Sequence, residues 1–469
     1  MRRNWIIAAC MLAATVVKAT PLLIDSLKKP VPAPVYSPGQ LQEDFQIFRS
    51  ALVEAHAGLY RYTPRTAMDA ALDKAGAGIR KEMTELEFFR YLYPLLAKVQ
   101  DGHTKLHRQG RPDDWYAFYQ TGLFPLRLYF REGRAFVIAG SIEAGAEVLR
   151  VNGRSMEEII TKLSANILAD GSSNSAKLRE LDQFFPGYYA TFFGPKSAFE
   201  IQYKEVMGKR VTVTIPAINA DQLYRNPAPD TPAFKLAWPA PKTALLRISG
   251  FHGMPGFLPA AFAEIRSKGA ERLIIDLRDN EGGTDKLGLQ LLSYLASRPF
   301  SYYQKLTVAG VGPYSFAAHA TFPPELEFLK QYVVKQGDEY LFTAKEGLGM
   351  QQPSAQNGFH GKVCILQNGR SFSVSGEFAA AARGLGIKTI GEEGGAGRKG
   401  NTSGGFAIVT LPNTKLTMAV PLLGYYMEAG TANVTGGVPA DVTVLPSAND
   451  ILVKRDVVLE KAMEILSGK

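Results

Sequence analysis

Leu273-Ile274-Ile275-Asp276-Leu277-Arg278-Asp279-Asn280-Glu281-Gly282-Gly283 is the stretch on which the fold turns. Its opening apolar run has the length of a strand and no polar face, as expected of a strand covered on both sides. The run stops in a polar turn, and helical spacing takes over from Leu287 to Leu295. Paired glycines between a strand and a helix allow a tight turn with exposed backbone N–H groups, the material of an anion or oxyanion site. The turn is not a P-loop, because the Gly-Lys-Ser/Thr ending is missing. Similar texture surrounds it. Ala244 to Ile248 and Val363 to Leu366 read as strands, a helix is expected from about Gly376 to Leu385, and Thr389-Ile390 begins the next strand. Apolar strands alternating with helices predict an α/β core with a largely parallel sheet over residues 242–446, closed by an amphipathic helix in 447–469.

Upstream the pattern changes three times. Residues 219–241 are rich in proline and read as a linker. Residues 115–218 shorten to strand periods, as in Leu126 to Phe130, Ala135 to Ile138 and Val211 to Ile215. Within them, a strand ending in Asn152-Gly153 and followed by a helix is similar to the centre of a PDZ domain, so a PDZ-like β-rich domain is expected there. Residues 20–114 are helical in character after a Pro-rich lead-in: Phe45, Phe48, Leu52 and Ala55 recur at helical steps, and Thr84-Glu85-Leu86-Glu87 resembles a capping box. Residues 1–19 read as an export signal, with Arg2 and Arg3 before an apolar run from Trp5 to Val17 and cleavage expected near Ala19. That run is shorter than the ~20 residues a permanent span needs. A periplasmic or extracellular location follows as an expectation, with no stable membrane span.

Composition narrows the function classes. The chain has 469 residues, 46% hydrophobic and 21% charged, which is a globular balance long enough for several domains. Its formal charge of +9 loses the three bases of the signal, leaving 50 basic against 44 acidic residues without a basic run, so nucleic acid is not an expected partner. Of the two cysteines, Cys10 lies in the signal and Cys364 in an apolar strand, so no disulfide is expected within the mature chain. Six histidines and no Cys/His cluster make a zinc site unexpected, and no metal or organic cofactor is required.

Two further segments carry chemistry. Asn368-Gly369-Arg370-Ser371-Phe372-Ser373-Val374-Ser375-Gly376-Glu377 places serines between a strand end and a helix start, where a hydroxyl is exposed in the positive field of the helix end. Ser373 or Ser375 could equally be a helix cap. Val99-Gln100-Asp101-Gly102-His103-Thr104 ends a helix in a polar turn, and a His103 within reach of a serine would complete a nucleophilic pair.

Taken together, these three segments resemble the S41 peptidases, the tail-specific or C-terminal-processing proteases, over roughly residues 40–110 and 240–445. The resemblance implies a crotonase-like (ClpP/crotonase) catalytic core behind an N-terminal helical region, with a PDZ-like insertion between them. It puts Ser373 on the family nucleophile, with Ser375 as the alternative because one extra residue precedes Glu377. It makes the N–H groups of Gly282 or Gly283 and of Val374 the oxyanion hole. The best-known members pair the serine with a lysine about 25 residues on, where this chain has Lys399. A second branch carries Asp-Gly-His in its N-terminal region and uses Ser-His-Glu. His103 fits that branch, and Glu428, 55 residues beyond Ser373, would be its acid. His103 with Glu428 is preferred over Lys399, because a lysine base must be desolvated and the loop around Lys399 is polar.

The expected function is therefore an exported serine endopeptidase acting on polypeptides through an acyl-enzyme. The alternative is a catalytically inactive relative that binds peptides or apolar ligands. Substrate identity and oligomeric state leave no trace in the sequence.

Overall fold

The computed structural model describes residues 33–108, 121–220, 222, 234–253, 256–427 and 435–468. Val35–Lys469 is one unit, to which all the elements named here belong. Its centre is a six-stranded sheet in the order Phe234–Ala240, Thr243–Ile248, Arg272–Asp276, Lys362–Gln367, Lys388–Gly391, Val442–Thr443. The first strand is antiparallel to the second and the others run parallel, with Leu246 opposite Ile275 and Ile275 opposite Ile365.

Both faces of this sheet are covered, which is why its strands are apolar throughout. Leu273 and Ile275 face the helices Phe257–Ser267, Asp285–Leu295 and Val374–Gly384, in a core with Phe262, Leu292 and Phe378. Ile274, Cys364 and Leu366 face the other way, onto Val458, Ala462 and Leu466 of the helix Val457–Ser467. Burial pushes the Cys364 thiol up to about 12, so it packs as a small apolar group.

Two boundaries differ from the sequence reading. The Pro-rich linker ends earlier than expected, because residues 234–240 form the edge strand of the sheet. Pro239 is tolerated there, since an edge strand needs fewer ladder donors, and the register shifts between Ala237 and Ala240. The single closing helix is two, Ala448–Leu452 and Val457–Ser467, and Asp456 caps the second by accepting from Leu459 N–H.

An antiparallel sheet completes the core. In it the strand Thr417–Tyr426 pairs with Thr402–Thr410 on one side and with Lys305–Val308 and Lys105–His107 on the other. The N-terminal helices Pro38–Ala55 and Glu85–Val99 bury Phe45, Phe48, Phe88 and Leu92 against Val409, Met418 and Val420 of this sheet. The expected capping box is present, with Glu87 N–H bonded to Thr84 Oγ1 and Thr84 N–H to Glu87. Pairing of Lys105–His107 with Thr417–Tyr426 anchors the turn that carries His103. The middle region is a six-stranded antiparallel sheet from Arg127 to Pro216, with helices Met156–Ser164 and Asn174–Phe193 around its own core. The 20-residue helix was not expected in a β-rich stretch.

Candidate active site

Two strand-end turns meet at the site, and hydrogen bonds fasten them together. Ser371 Oγ donates to Leu277 O at 2.8 Å and accepts from Asn368 N–H at 3.0 Å. Asn368 Oδ1 accepts from Asp279 N–H at 3.1 Å while its amide donates to Asp279 Oδ1 at 2.9 Å, and Phe372 N–H reaches Asn280 O at 3.0 Å. This frame holds Ser373 at φ +54°, ψ −125°, just before the helix Val374–Gly384. A non-glycine residue held there costs about 1–3 kcal/mol and needs surroundings that leave it no alternative. Gly282 lies against that serine at φ +104°, and a Cβ on it would sit 2.6 Å from Ser373 Cβ, so only glycine fits.

His103 comes from the other direction. The helix Glu85–Val99 ends at Gln100 in the left-handed region, and the chain turns through Asp101, Gly102, His103 and Thr104 into the strand Lys105–His107. Buried Asp101 holds this turn, accepting from His103 N–H at 3.2 Å, from Thr104 N–H at 3.0 Å and from the Thr104 hydroxyl. The His103 ring stacks on Phe372 with centroids 4.5 Å apart. Gly102 lets that ring approach, since a Cβ there would meet Phe372 at 2.7 Å.

His103 Nε2 then lies 3.2 Å from Ser373 Oγ. The imidazole is 13% exposed. Desolvation pushes its pKa down to about 4; Asp101 opposes that shift, while Lys105 and Arg61 add to it. A neutral imidazole that accepts from a serine hydroxyl near pH 7 can act as a general base.

The other residues singled out in the sequence fall as follows. Ser375 is fully buried inside the helix and its hydroxyl has no partner among the described residues, whereas Ser373 is partly exposed and bonded to His103. Gly282 N–H is already engaged by Asn280 Oδ1 at 2.8 Å. Among the described residues the N–H groups of Gly283 and Val374 have no acceptor, so they are the two available to a developing oxyanion. Lys399 has its ammonium over the Tyr62 ring, 5.9 Å from the centroid, and among the described residues Ser373 Oγ is bonded to His103 and not to Lys399. Glu428 lies outside the described residues.

Three buried site residues were given no role by the sequence reading. Asp170, buried, accepts from Gly102 N–H at 2.8 Å and Gly397 N–H at 3.1 Å, tying the histidine turn to the Gly-rich loop. Burial and the neighbouring Asp101 charge push its carboxyl up, while hydrogen bonds hold Asp101 well below the usual range. Glu377, buried below the nucleophile turn, accepts from Tyr303 Oη at 2.7 Å and Asn401 Nδ2 at 2.9 Å, and burial pushes it up to about 7. His56 lies behind Asp101. Only a three-dimensional arrangement reveals the first and last, since neither is near the serine or the His103 turn in sequence. Asp101, His103 and Asp170 place one candidate ligand atom each within 4.8 Å of the others, but both carboxylates already accept N–H donors.

Residues 242–444 match the family model described as Peptidase family S41. Mature CPAF complexed with lactacystin is similar in structure, with a TM-score of 0.63 and 16% identity, covering 92% of this chain and 98% of that one. A second structure of mature CPAF gives 0.62 and 16%, covering 92% and 96%. At such identity the likeness is one of fold. The photosystem II D1 C-terminal processing protease aligns at a TM-score of 0.41 and 13% identity, over 87% of this chain and 94% of its own. No curated protein sequence matches the chain.

Proposed function

We propose, from the match of residues 242–444 to the model of peptidase family S41, that the protein is an exported serine endopeptidase hydrolysing polypeptides through an acyl-enzyme. The observation that carries this reading is the 3.2 Å contact between His103 Nε2 and Ser373 Oγ on a strained strand-to-helix turn.

In the reaction, His103 Nε2 takes the hydroxyl proton as Ser373 Oγ attacks the scissile carbonyl carbon. The carbonyl π-electrons move to oxygen, and the N–H groups of Gly283 and Val374 stabilise that oxyanion. Collapse expels the amine, which receives the proton from His103, and leaves an ester on Ser373. Water then attacks the ester, with His103 again taking and returning a proton. Removing one oxyanion donor typically costs on the order of 10²–10³ in turnover.

The central sheet with its helices is the crotonase-like core of this reading, and the Arg127–Pro216 sheet is a PDZ-like insertion that docks the polypeptide. Selection of chain ends, as in tail-specific proteases, would be the work of that insertion. Among the described residues no helix is long and apolar enough to cross a membrane, which is compatible with release after signal cleavage near Ala19.

The test is to incubate the protein and its Ser373→Ala variant with a peptide pool and an unfolded protein, and to identify products by mass spectrometry. Cleavage that vanishes in Ser373→Ala supports the reading. Peptide retention without cleavage by either protein would replace it with the inactive binding protein.

A further inference from the structure

Behind the His103 turn lies a buried network in which every proton has one consistent assignment. His56 ends the helix Pro38–Ala55, its own N–H bonded to Leu52 O at 3.2 Å. Its ring is 45 residues from Asp101 in sequence and buried against it. Gly58 N–H donates to His56 Nδ1 at 3.0 Å, so the neutral ring must carry its proton on Nε2. That Nε2–H faces two acceptors, Thr104 Oγ1 at 2.7 Å and Asp101 Oδ2 at 3.1 Å. Thr104 passes the pattern on, because its hydroxyl and its N–H both donate to Asp101 Oδ2.

All the donors on Oδ2 favour an ionised Asp101 and fix the plane of its carboxylate. Oδ1 accepts one N–H, from His103, and retains capacity for a second donor. A candidate is the Nδ1 of the same histidine, 3.9 Å away. That nitrogen is buried and has no hydrogen-bond partner among the described residues. Once Ser373 donates to Nε2, Nδ1 must bear the proton, and an unpaired buried N–H is costly. Catalytic hydrogen bonds are often long in unliganded sites and shorten when substrate is bound.

We propose that His56 is a positioning residue for the hydrolysis, holding Asp101 so that its Oδ1 receives the Nδ1–H of His103. The inference rests on the peptidase reading and deepens it, since it names what holds the face of His103 turned away from Ser373. The titratable and charged groups around His103 are Asp101, Lys105 and Arg61, and those around Asp101 are His56, His103 and Asp170. Of the three facing His103, Asp101 alone favours the imidazolium that forms when the serine proton is taken.

The test compares His56→Ala, His56→Gln and Asp101→Asn by steady-state kinetics on a cleaved peptide, and by NMR titration of the His103 ring. Glutamine places an N–H donor close to where His56 Nε2 stood, so it is the conservative replacement. Expected for His56→Ala is a fall in kcat of about 10²-fold with KM nearly unchanged, the loss typical of a catalytic group moved by about 1 Å. His56→Gln should recover most of that loss. In a Ser373→Ala background, Asp101→Asn and His56→Ala should both lower the His103 pKa, because an attractive carboxylate is removed or displaced. A purely structural role would lower the melting temperature and leave that pKa in place.

Unchanged His103 titration in both variants overturns the proposal. So does full kcat in Asp101→Asn alongside a Glu428→Gln variant as inactive as Ser373→Ala. If His56→Ala does not fold, His56→Gln and Asp101→Asn decide, with the same two readouts. Should Ser373→Ala keep its peptide-cleaving activity, it is the peptidase reading that fails, and the His103 titration still answers whether His56 and Asp101 govern that imidazole.

Discussion

The two halves of the site are held in different ways. Ser373 is held by its own neighbourhood: a strained φ, a glycine that no other residue can replace, and hydrogen bonds between two adjacent strand ends. His103 is held at long range, by a turn anchored to Asp101, a ring stacked on Phe372 and, behind them, His56 and Asp170 from distant parts of the chain. A nucleophile set by local strain should fail abruptly when its frame changes. A base set by a distributed network should lose function in steps.

Substitutions can break that contrast, and the largest effect belongs to the serine. Ser373→Ala should reduce kcat on peptides by roughly 10⁴–10⁶-fold, the scale seen when a catalytic nucleophile is removed, with unfolding temperature almost unchanged. Peptide assays beside thermal melts check this. Gly282→Ala should follow, because its new Cβ would fall 2.6 Å from Ser373 Cβ at a φ that alanine rarely adopts. Loss of about 10²-fold or more in kcat/KM is expected, together with a lower melting temperature. Near-native kinetics for this variant would mean the turn is looser than its hydrogen bonds imply.

Next comes pH. With His103 held down to about 4 by desolvation, the base is already neutral above that value. The acid limb of kcat/KM is expected near pH 4, not near the ordinary histidine value of about 6.5, so the profile from pH 5.5 to 8 should be flat. A limb at pH 6 to 7 would show a solvated imidazole instead.

Glu377 offers a stability test below the nucleophile. Its carboxyl rises from 4.5 to about 7 on folding, so the folded state binds the extra proton in that window. Stability should therefore fall as pH rises from about 4.5 to 7 and level off above, by a total on the order of 3 kcal/mol from this group. Glu377→Gln should flatten that part of the denaturant-derived stability curve. The smallest effect expected is that of Lys399→Ala, whose ammonium faces Tyr62 and is not bonded to Ser373 Oγ: within about threefold of the parent kcat, as for a group outside the proton transfer.

What could be read in advance follows the same division. The parallel strands were legible because continuous apolar runs such as Leu273 to Ile275 have no other stable home than a sheet covered on both faces. The Gly-Gly turn and the serine turn were legible because each sits at the end of such a run. His103 could be named because its turn is polar and ends a well-marked helix. The neighbours of His103 could not. His56 reads as one more residue at the end of an amphipathic helix, and only the packing of that helix against Thr417–Tyr426 brings it to Asp101.

Two misreadings have the same root. Asn174–Phe193 contains Phe184-Phe185-Pro186-Gly187-Tyr188-Tyr189, which locally resembles a turn between aromatic strands. It is helical because Phe185, Tyr188 and Tyr189 are buried in the middle core, and that tertiary gain overrides weak propensity. Pro239 marked a linker, yet an edge strand accommodates it. The choice between Gly282 and Gly283 likewise needed coordinates, since it depends on which N–H Asn280 engages.

The most direct measurement is covalent trapping of the nucleophile. Incubation with a fluorophosphonate, followed by peptide mapping, should give one adduct on Ser373, none on Ser375, and an adduct rate lowered by several orders of magnitude in His103→Ala. An adduct on Ser375, or labelling of Ser373 at an undiminished rate without His103, would contradict the claim that these two residues form the reacting pair.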